Sequence, residues 1–342
     1  MGCAHCGFIG AVREREPEPG EMAAWVKEAC EYGIPLIIFT GGEPFERFEC
    51  LEQGVAAAES MGTPAAVFTS SFWAATPEAT MALLCRLPGL KHLYLSSDPF
   101  HQRRVPYQNV YNAISAAIQL SIPKISIVVT YTNDEERRDV RRQYEQYGGR
   151  LRFCEERVIP NPNFSKRVLR EQGTLRAPKP EEYRCNCEIG TPIVNPNGDV
   201  FSCHVGKAAA HRDLRHLTYF LGNLHEARFR DIMSAAACRA DYQFLRTHGA
   251  QGVARLFEEE PGLIRAVGRD GFTTECDMCF SVLTSSEGRA ALNRHVSRPD
   301  VRDAIDMRLA LIFGEDIMRG DFTGPLAGTH DGQNHDLVQI SS

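Results

Sequence analysis

The chain has no long apolar run. No stretch approaches the ~20 consecutive apolar residues that cross a bilayer, although 43% of its 342 residues are hydrophobic and 24% are charged. A membrane-spanning helix is therefore excluded, and that composition is the one expected of a soluble globular protein. The chain also lacks a dense basic stretch and carries a net charge of −6. Non-specific nucleic-acid binding needs clustered Lys and Arg, so the charge argues against it. No signal peptide precedes the first cysteine and no internal repeat is evident. The expected location is cytoplasmic.

Cysteine is what the chain has in quantity, twelve in all. In a secreted protein that count would read as disulfides. Here several are clustered, as Cys3-Ala4-His5-Cys6, Cys185-Asn186-Cys187 and Cys276-Asp277-Met278-Cys279. Such spacing favours metal ligation in a reducing compartment. Thiolates hold both zinc and iron–sulfur clusters, and spacing alone does not separate the two.

From residue 17 to about 158 helical and strand patterns alternate. Glu21 to Glu31 places Met22, Ala23, Val26 and Ala29 at helical spacing, and Pro35 to Thr40 is an apolar strand. Helices are expected over 50–60, 76–87, 107–120 and 135–147, and strands over 64–70, 91–97, 125–132 and 151–159. Thr76-Pro77 reads as N-cap and first helical residue. The Glu/Arg-rich helix at 135–147 reads as a solvated face. Strands separated by helices of this length imply a parallel sheet. Pro160, Pro162, Pro178 and Pro180 mark a linker over 160–182. A second domain follows over 183–320, and the polar tail 321–342 reads as disordered.

The first apolar strand ends in Thr40-Gly41-Gly42-Glu43-Pro44, one helix after the Cys3/Cys6 pair. A thiolate pair followed by a strand ending in Gly-Gly-Glu-Pro resembles the core of the radical S-adenosylmethionine (SAM) superfamily. The resemblance implies a partial (β/α)6 TIM-like barrel over 1–159, with a [4Fe-4S] cluster on Cys3 and Cys6 and SAM held at Gly41, Gly42, Glu43 and Pro44. The family's cysteine triplet, Cys-x3-Cys-x2-Cys, would put its first member ahead of Met1. The first strand of six falls there too, so the reading expects a truncated start. Leu95-Ser96-Ser97-Asp98-Pro99-Phe100-His101 resembles the family's Ser-x-Asp segment, which places Ser97 and Asp98 near the SAM ribose or the substrate. Asp98-Pro99 opening an ordinary turn is an equal alternative. His101 is a candidate general base, although a lone His is more often a surface hydrogen-bonding residue.

Farther on, Asn197-Gly198 between Pro192-Ile193-Val194 and Val200-Phe201 reads as a β-hairpin that brings Cys187 and Cys203 together. The spacing Cys187, Gly198, Cys203 resembles SPASM and twitch domains, a smaller Cys-rich α+β fold. Leu221-Gly222-Asn223-Leu224-His225-Glu226 followed by a helix fits that region as well. By that resemblance Cys187, Cys203, Cys276 and Cys279 hold one auxiliary [4Fe-4S] cluster, with Cys185 and Cys238 as spare candidates. A four-thiolate zinc site is the alternative. Cys30, Cys50, Cys85 and Cys154 are expected in the core.

The activity implied is reductive cleavage of SAM to a 5′-deoxyadenosyl radical, which takes hydrogen from a peptide, protein or small-molecule substrate. A flavodoxin- or ferredoxin-type protein is the expected reductant. The competing reading is a non-catalytic iron–sulfur or zinc protein that lacks a complete SAM-binding cluster.

Overall fold

The computed structural model describes residues 15–157, 190–203, 215, 217–267, 272, 275–313 and 338–341. The chain divides into two compact units, one of residues 1–159 with 337–342 and one of residues 160–336.

The first unit alternates strands and helices in the expected order: α1 (Pro19–Tyr32), β1 (Ile37–Thr40), α2 (Phe48–Ser60), β2 (Ala65–Thr69), α3 (Pro77–Leu84), β3 (Leu90–Ser96), α4 (Tyr107–Gln119), β4 (Lys124–Tyr131), α5 (Asp134–Gln143) and β5 (Arg152–Arg157). Local chemistry sets the boundaries. Pro19 opens α1, and Gly33, at φ 101°, closes it in the left-handed region. Thr76 caps α3 by accepting from the Ala79 N–H, and Pro77 follows as first helical residue. Asn133 caps α5 by accepting from Glu135 and Glu136 N–H, and acidic residues fill that helix's first turn. Val140 is the one buried residue of α5, so its charged face is solvated as the sequence implied.

Every strand pair from β1 to β5 is parallel, in the order β5-β4-β3-β2-β1. Ile37, Phe39, Val67, Leu93, Leu95, Ile127 and Val129 share one face and have no exposure. This is the helix-covered face. A Cβ on Gly54 of α2 would lie 2.5 Å from the Phe39 ring, so glycine permits the close approach of helix to sheet. Of the alternate side chains, Thr40, Phe68, His92, Tyr94, Ser96, Val128 and Thr130 are half-buried, and Ile38, Ala66 and Ser126 are buried. A parallel sheet with a sealed outer face and a polar and aromatic inner face is the wall of a partial TIM-like barrel.

Residues 338–341, assigned by the sequence to a disordered tail, instead form β9 (Val338–Ser341). β9 pairs in parallel with β1, Ile37 to Val338 through Thr40 to Ser341. It covers the β1 ladder on the side away from β2, an edge that would otherwise present open N–H and C=O groups.

The second unit has a hairpin, β6 (Ile193–Val194) and β7 (Asp199–Phe201), turned at Gly198 with φ 82°. β8 (Phe220–Asn223) adds antiparallel to β7. Six helices follow among the described residues: α6 (Phe229–Ala237), α7 (Ala240–Glu259, broken at Gly249), α8 (Leu263–Ala266), α9 (Glu275–Thr284), α10 (Ser286–Val296) and α11 (Pro299–Phe313). Phe201, Tyr242, Leu245, Val253, Val282 and Leu292 lie in one apolar core. This unit is more helical than the small Cys-rich fold expected.

Candidate active site

In a parallel barrel wall, ligands gather at the carboxyl ends of the strands. Two such ends carry the residues singled out in the sequence, and the end of β2 lies between them. After β1, Gly41 takes φ 132°, a conformation that L side chains resist, and Glu43 is extended and buried. Pro44 opens a short 3-10 turn, in which Phe45 stacks on Trp73 at 3.9 Å.

The Glu43 carboxylate faces β2. Oε1 accepts from the Thr69 hydroxyl at 2.7 Å and from Phe45 N–H at 3.3 Å. Oε2 accepts from Ser70 N–H at 2.8 Å and from the Ser70 hydroxyl at 2.5 Å. Thr69 Oγ1 in turn accepts from Ser71 N–H at 3.1 Å and from Trp73 Nε1 at 2.8 Å. Burial pushes the Glu43 carboxyl up from its ordinary value, and these donors offset only part of the shift. The sequence expected this carboxylate to face a ligand. In the structure it braces the ends of β1 and β2.

Ser71 is the exception in this network. It has φ 67° and no exposure, and its Oγ has no hydrogen-bond partner. The left-handed conformation costs a non-glycine residue about 1 kcal/mol or more. A buried orphan hydroxyl costs about 1–3 kcal/mol.

After β3, Ser97 and Asp98 are both fully buried. Asp98 Oδ1 accepts from Phe100 and His101 N–H, each at 2.9 Å, so the turn anticipated at Asp98-Pro99 is formed. Oδ2 lies 2.8 Å from His101 Nδ1. One carboxylate therefore shapes the turn and orients the imidazole. Ser97 Oγ is 2.5 Å from the Tyr144 hydroxyl and 3.3 Å from Gln102 Oε1, which also accepts from Asp98 N–H at 3.0 Å. Burial pushes the Tyr144 phenol well up, so it stays protonated. Nothing in the sequence flagged Tyr144, because it lies 47 residues from Ser97.

Below this edge the inner face carries an aromatic ladder. Phe68 stacks on Tyr94 at 4.0 Å, and His92 on Tyr94 at 3.7 Å. His92 Nε2 is 2.7 Å from Ser126 Oγ. Burial, with Lys124 and Arg152 nearby, lowers its pKa to about 4, so the ring is neutral at physiological pH. Cys154 lies on this face, half-buried, and burial raises its thiol. Of the four cysteines expected in the core, Cys50 is buried, Cys30 and Cys154 are half-buried and Cys85 is exposed at the end of α3.

Cys3, Cys6, Cys185 and Cys187 lie outside the described residues. Cys203 and Cys279 are both buried in the core of the second unit, and Cys276 lies one turn before Cys279 on α9. Cys238 is exposed at the end of α6. Among the described residues no three His, Cys, Asp or Glu side chains converge as a metal site, and no helix is long and apolar enough to cross a membrane.

The carboxyl edge fits a small polar ligand, because an orphan buried hydroxyl and a glycine-bearing backbone meet there. The Cys3/Cys6 thiolate pair suits iron–sulfur ligation. A comparison with curated proteins found no match. Residues 1–143 match the family model described as the Radical SAM superfamily, which supports a radical SAM domain there and, with it, the general chemistry of SAM and a [4Fe-4S] cluster.

Proposed function

We propose that the chain is a radical SAM enzyme of the oxidoreductase or maturase type, acting on a peptide, protein or small molecule, with a preference for peptide or protein. SAM together with a [4Fe-4S] cluster would supply a 5′-deoxyadenosyl radical able to take hydrogen from an unactivated C–H bond. Cys3 and Cys6 would hold two of the cluster's irons, and the backbone at Gly41, Gly42 and Glu43, with Pro44 fixing the turn, would hold SAM. Ser97 and Asp98 contribute through what they position, the Tyr144 hydroxyl and the His101 ring. His101, with Nδ1 held by Asp98, takes the proton released at Nε2 when a substrate centre is oxidised. The ladder of Phe68, Tyr94 and His92 offers the substrate a flat, neutral surface.

The observation that carries this reading is the gathering of the Gly41–Glu43 turn and the Asp98–His101 pair at one carboxyl edge. That edge lies within the segment matched by the superfamily model.

Cys187, Cys203, Cys276 and Cys279 would hold an auxiliary [4Fe-4S] cluster that accepts the electron left by an oxidised substrate. A flavodoxin- or ferredoxin-type protein in the cytoplasm would reduce the first cluster. The burial of Cys203 and Cys279 in one core supports the second site. The test is anaerobic reconstitution with iron and sulfide. About eight irons per chain, falling to about four in a Cys203→Ala, Cys279→Ala double variant, is the expected result. About four irons in the unaltered chain, unchanged in the double variant, would remove the auxiliary cluster. Zinc in place of iron would remove the radical reading.

A further inference from the structure

The inner face of the sheet carries two cations near its amino end. Strand register sets Lys124 beside His92 and Arg152 beside Ser126, on the face that holds the aromatic ladder. Both charges reach the His92 ring, and that of Arg152 reaches Tyr94 and Cys154 as well. Both side chains are exposed, and among the described residues neither has an ion-pair or hydrogen-bond partner. Other arginines of this unit do find carboxylates, Arg141 with Glu155, Arg86 with Glu52 and Arg47 with Glu16. Glu156 shares the inner face of β5, but it lies four residues beyond Arg152, about 13 Å along the strand. Two like charges beside a neutral ring repel each other, and an anion between them would relieve that. Phe68, His92 and Tyr94 are only half-buried, so rings and cations are open to a ligand together.

We propose that this end of the inner face binds an acidic segment of a substrate peptide, with Lys124 and Arg152 taking a carboxylate and the ladder of Phe68, Tyr94 and His92 taking an adjoining planar side chain. The assignment rests on the peptide-substrate reading given above. An arginine fork matches a carboxylate with two parallel bonds, a lysine adds a point charge, and the carboxylate is the anion that a peptide carries. In an extended peptide, residues two apart point to one face, so an acid and a ring at that spacing meet both parts of the site. The cations lie at the amino end and Glu156 toward the carboxyl edge, which sets the direction of the peptide. Its acidic end lies away from the Asp98–His101 pair. Ser96, just before that pair, is four residues along β3 from His92, so the reacting residue falls about four extended positions from the acid. Lys124 and Arg152 position the substrate and touch no reacting atom.

The test is calorimetric binding of the peptide acetyl-Glu-Ala-Phe-Ala amide, and of analogues with Gln or Lys in place of its Glu, to the anaerobically reconstituted protein extended upstream to any in-frame start. The expected result is the Glu peptide bound about tenfold tighter than the Gln peptide, the worth of one hydrogen bond to a charged group. Replacing its Phe by Ala should weaken binding again. A Lys124→Ala, Arg152→Ala double variant should bind the Glu and Gln peptides alike. A Lys124→Glu, Arg152→Glu double variant should prefer the Lys peptide, a reversal that an unfolded protein cannot give. Equal affinity of the parent for the three peptides would overturn the assignment, as would a Glu preference kept in the alanine variant or no loss with the Phe replaced. Inorganic phosphate that competes with the Gln peptide, with no advantage for the Glu peptide, would overturn it in favour of a small-anion site. Deoxyadenosine formed from SAM without the Glu preference would remove this site and leave the radical reading. The Glu preference without deoxyadenosine would remove the radical reading and leave the site.

Discussion

Ser70 gives its backbone N–H, at 2.8 Å, and its hydroxyl, at 2.5 Å, to the same oxygen of Glu43, and this double contact ties the end of β2 to the end of β1. The bond holds two loops of the carboxyl edge in one geometry. Glu43→Ala leaves Phe45 N–H, Ser70 N–H and the Thr69 hydroxyl without an acceptor. The expected loss is about 3 kcal/mol, from several buried donors at about 1–3 kcal/mol each with partial relaxation. Glu43→Gln should cost less, about 1–2 kcal/mol, because the Ser70 hydroxyl can turn to accept from the amide. Thr69 has no such freedom, since its oxygen already accepts from Ser71 and Trp73. Denaturant midpoints of the two variants check the order, and equal midpoints would contradict the brace.

The Asp98–His101 pair makes a sharper claim about one proton. Asp98 accepts from His101 Nδ1–H, so the neutral ring carries its basic lone pair on Nε2. Asp98→Asn keeps an oxygen for the Phe100 and His101 N–H groups but turns an amide donor toward Nδ1. The variant should stay within about 1 kcal/mol of the parent while its ring moves to the Nε2–H tautomer. Imidazole 15N chemical shifts at neutral pH report the change. An unchanged tautomer would remove Asp98 as the group that orients His101.

His92 gives the protein a pH dependence with a definite sign. Its folded value, about 4, lies below the ordinary 6.5, so the unfolded chain binds more protons between those values. Stability present above pH 6.5 is therefore lost as the pH falls toward 4. The half-buried ring keeps the loss to about 1–2 kcal/mol, well under full linkage, because water screens part of the shift. His248 of the second unit, also lowered to about 4 by burial, acts in the same direction. Glu43, raised by burial, acts the other way, and its contribution is lost as the pH rises through its folded value. His92→Gln, which still offers Ser126 a partner, should flatten the acid limb. An unaltered slope between pH 6.5 and 4.5 would contradict the shift.

In the hairpin of the second unit a Cβ on Gly198, at φ 82°, would lie 2.8 Å from the His225 ring and 3.2 Å from Asn223 Oδ1. Asn223 cannot easily give way. Its Nδ2 donates to Asn197 C=O at 3.0 Å and to Asp199 Oδ1 at 2.7 Å, and its Oδ1 accepts from His225 N–H at 2.8 Å. Gly198→Ala should lower stability by about 2 kcal/mol, combining left-handed strain with the clash. It should also reduce iron content if the hairpin positions Cys203. Full iron content at a lowered melting temperature would separate the hairpin from the cluster.

Much of this was legible in the sequence because it rests on local chemistry. The strand–helix alternation, Thr76 with Pro77 at the start of α3, and the turn at Asn197-Gly198 all depend on residues a few positions apart. The turn at Asp98-Pro99 belongs with them. What was missed depends on contacts distant in sequence. The inward turn of Glu43 is set by Thr69 and Ser70, more than twenty residues on. Tyr144 reaches Ser97 from the far end of α5. The pairing of β9 with β1 joins residues some three hundred positions apart. The strain at Ser71 has no sequence signal, since a serine after a strand usually reads as an ordinary turn residue.

The most direct measurement is 5′-deoxyadenosine formation from SAM by the anaerobically reconstituted protein, extended upstream to any in-frame start, with dithionite, beside a Cys6→Ala variant prepared in the same way. The expected result is deoxyadenosine from the parent and background alone from the variant. No deoxyadenosine from a parent that carries its irons would contradict the assignment of Cys3, Cys6 and the Gly41–Glu43 edge to SAM cleavage.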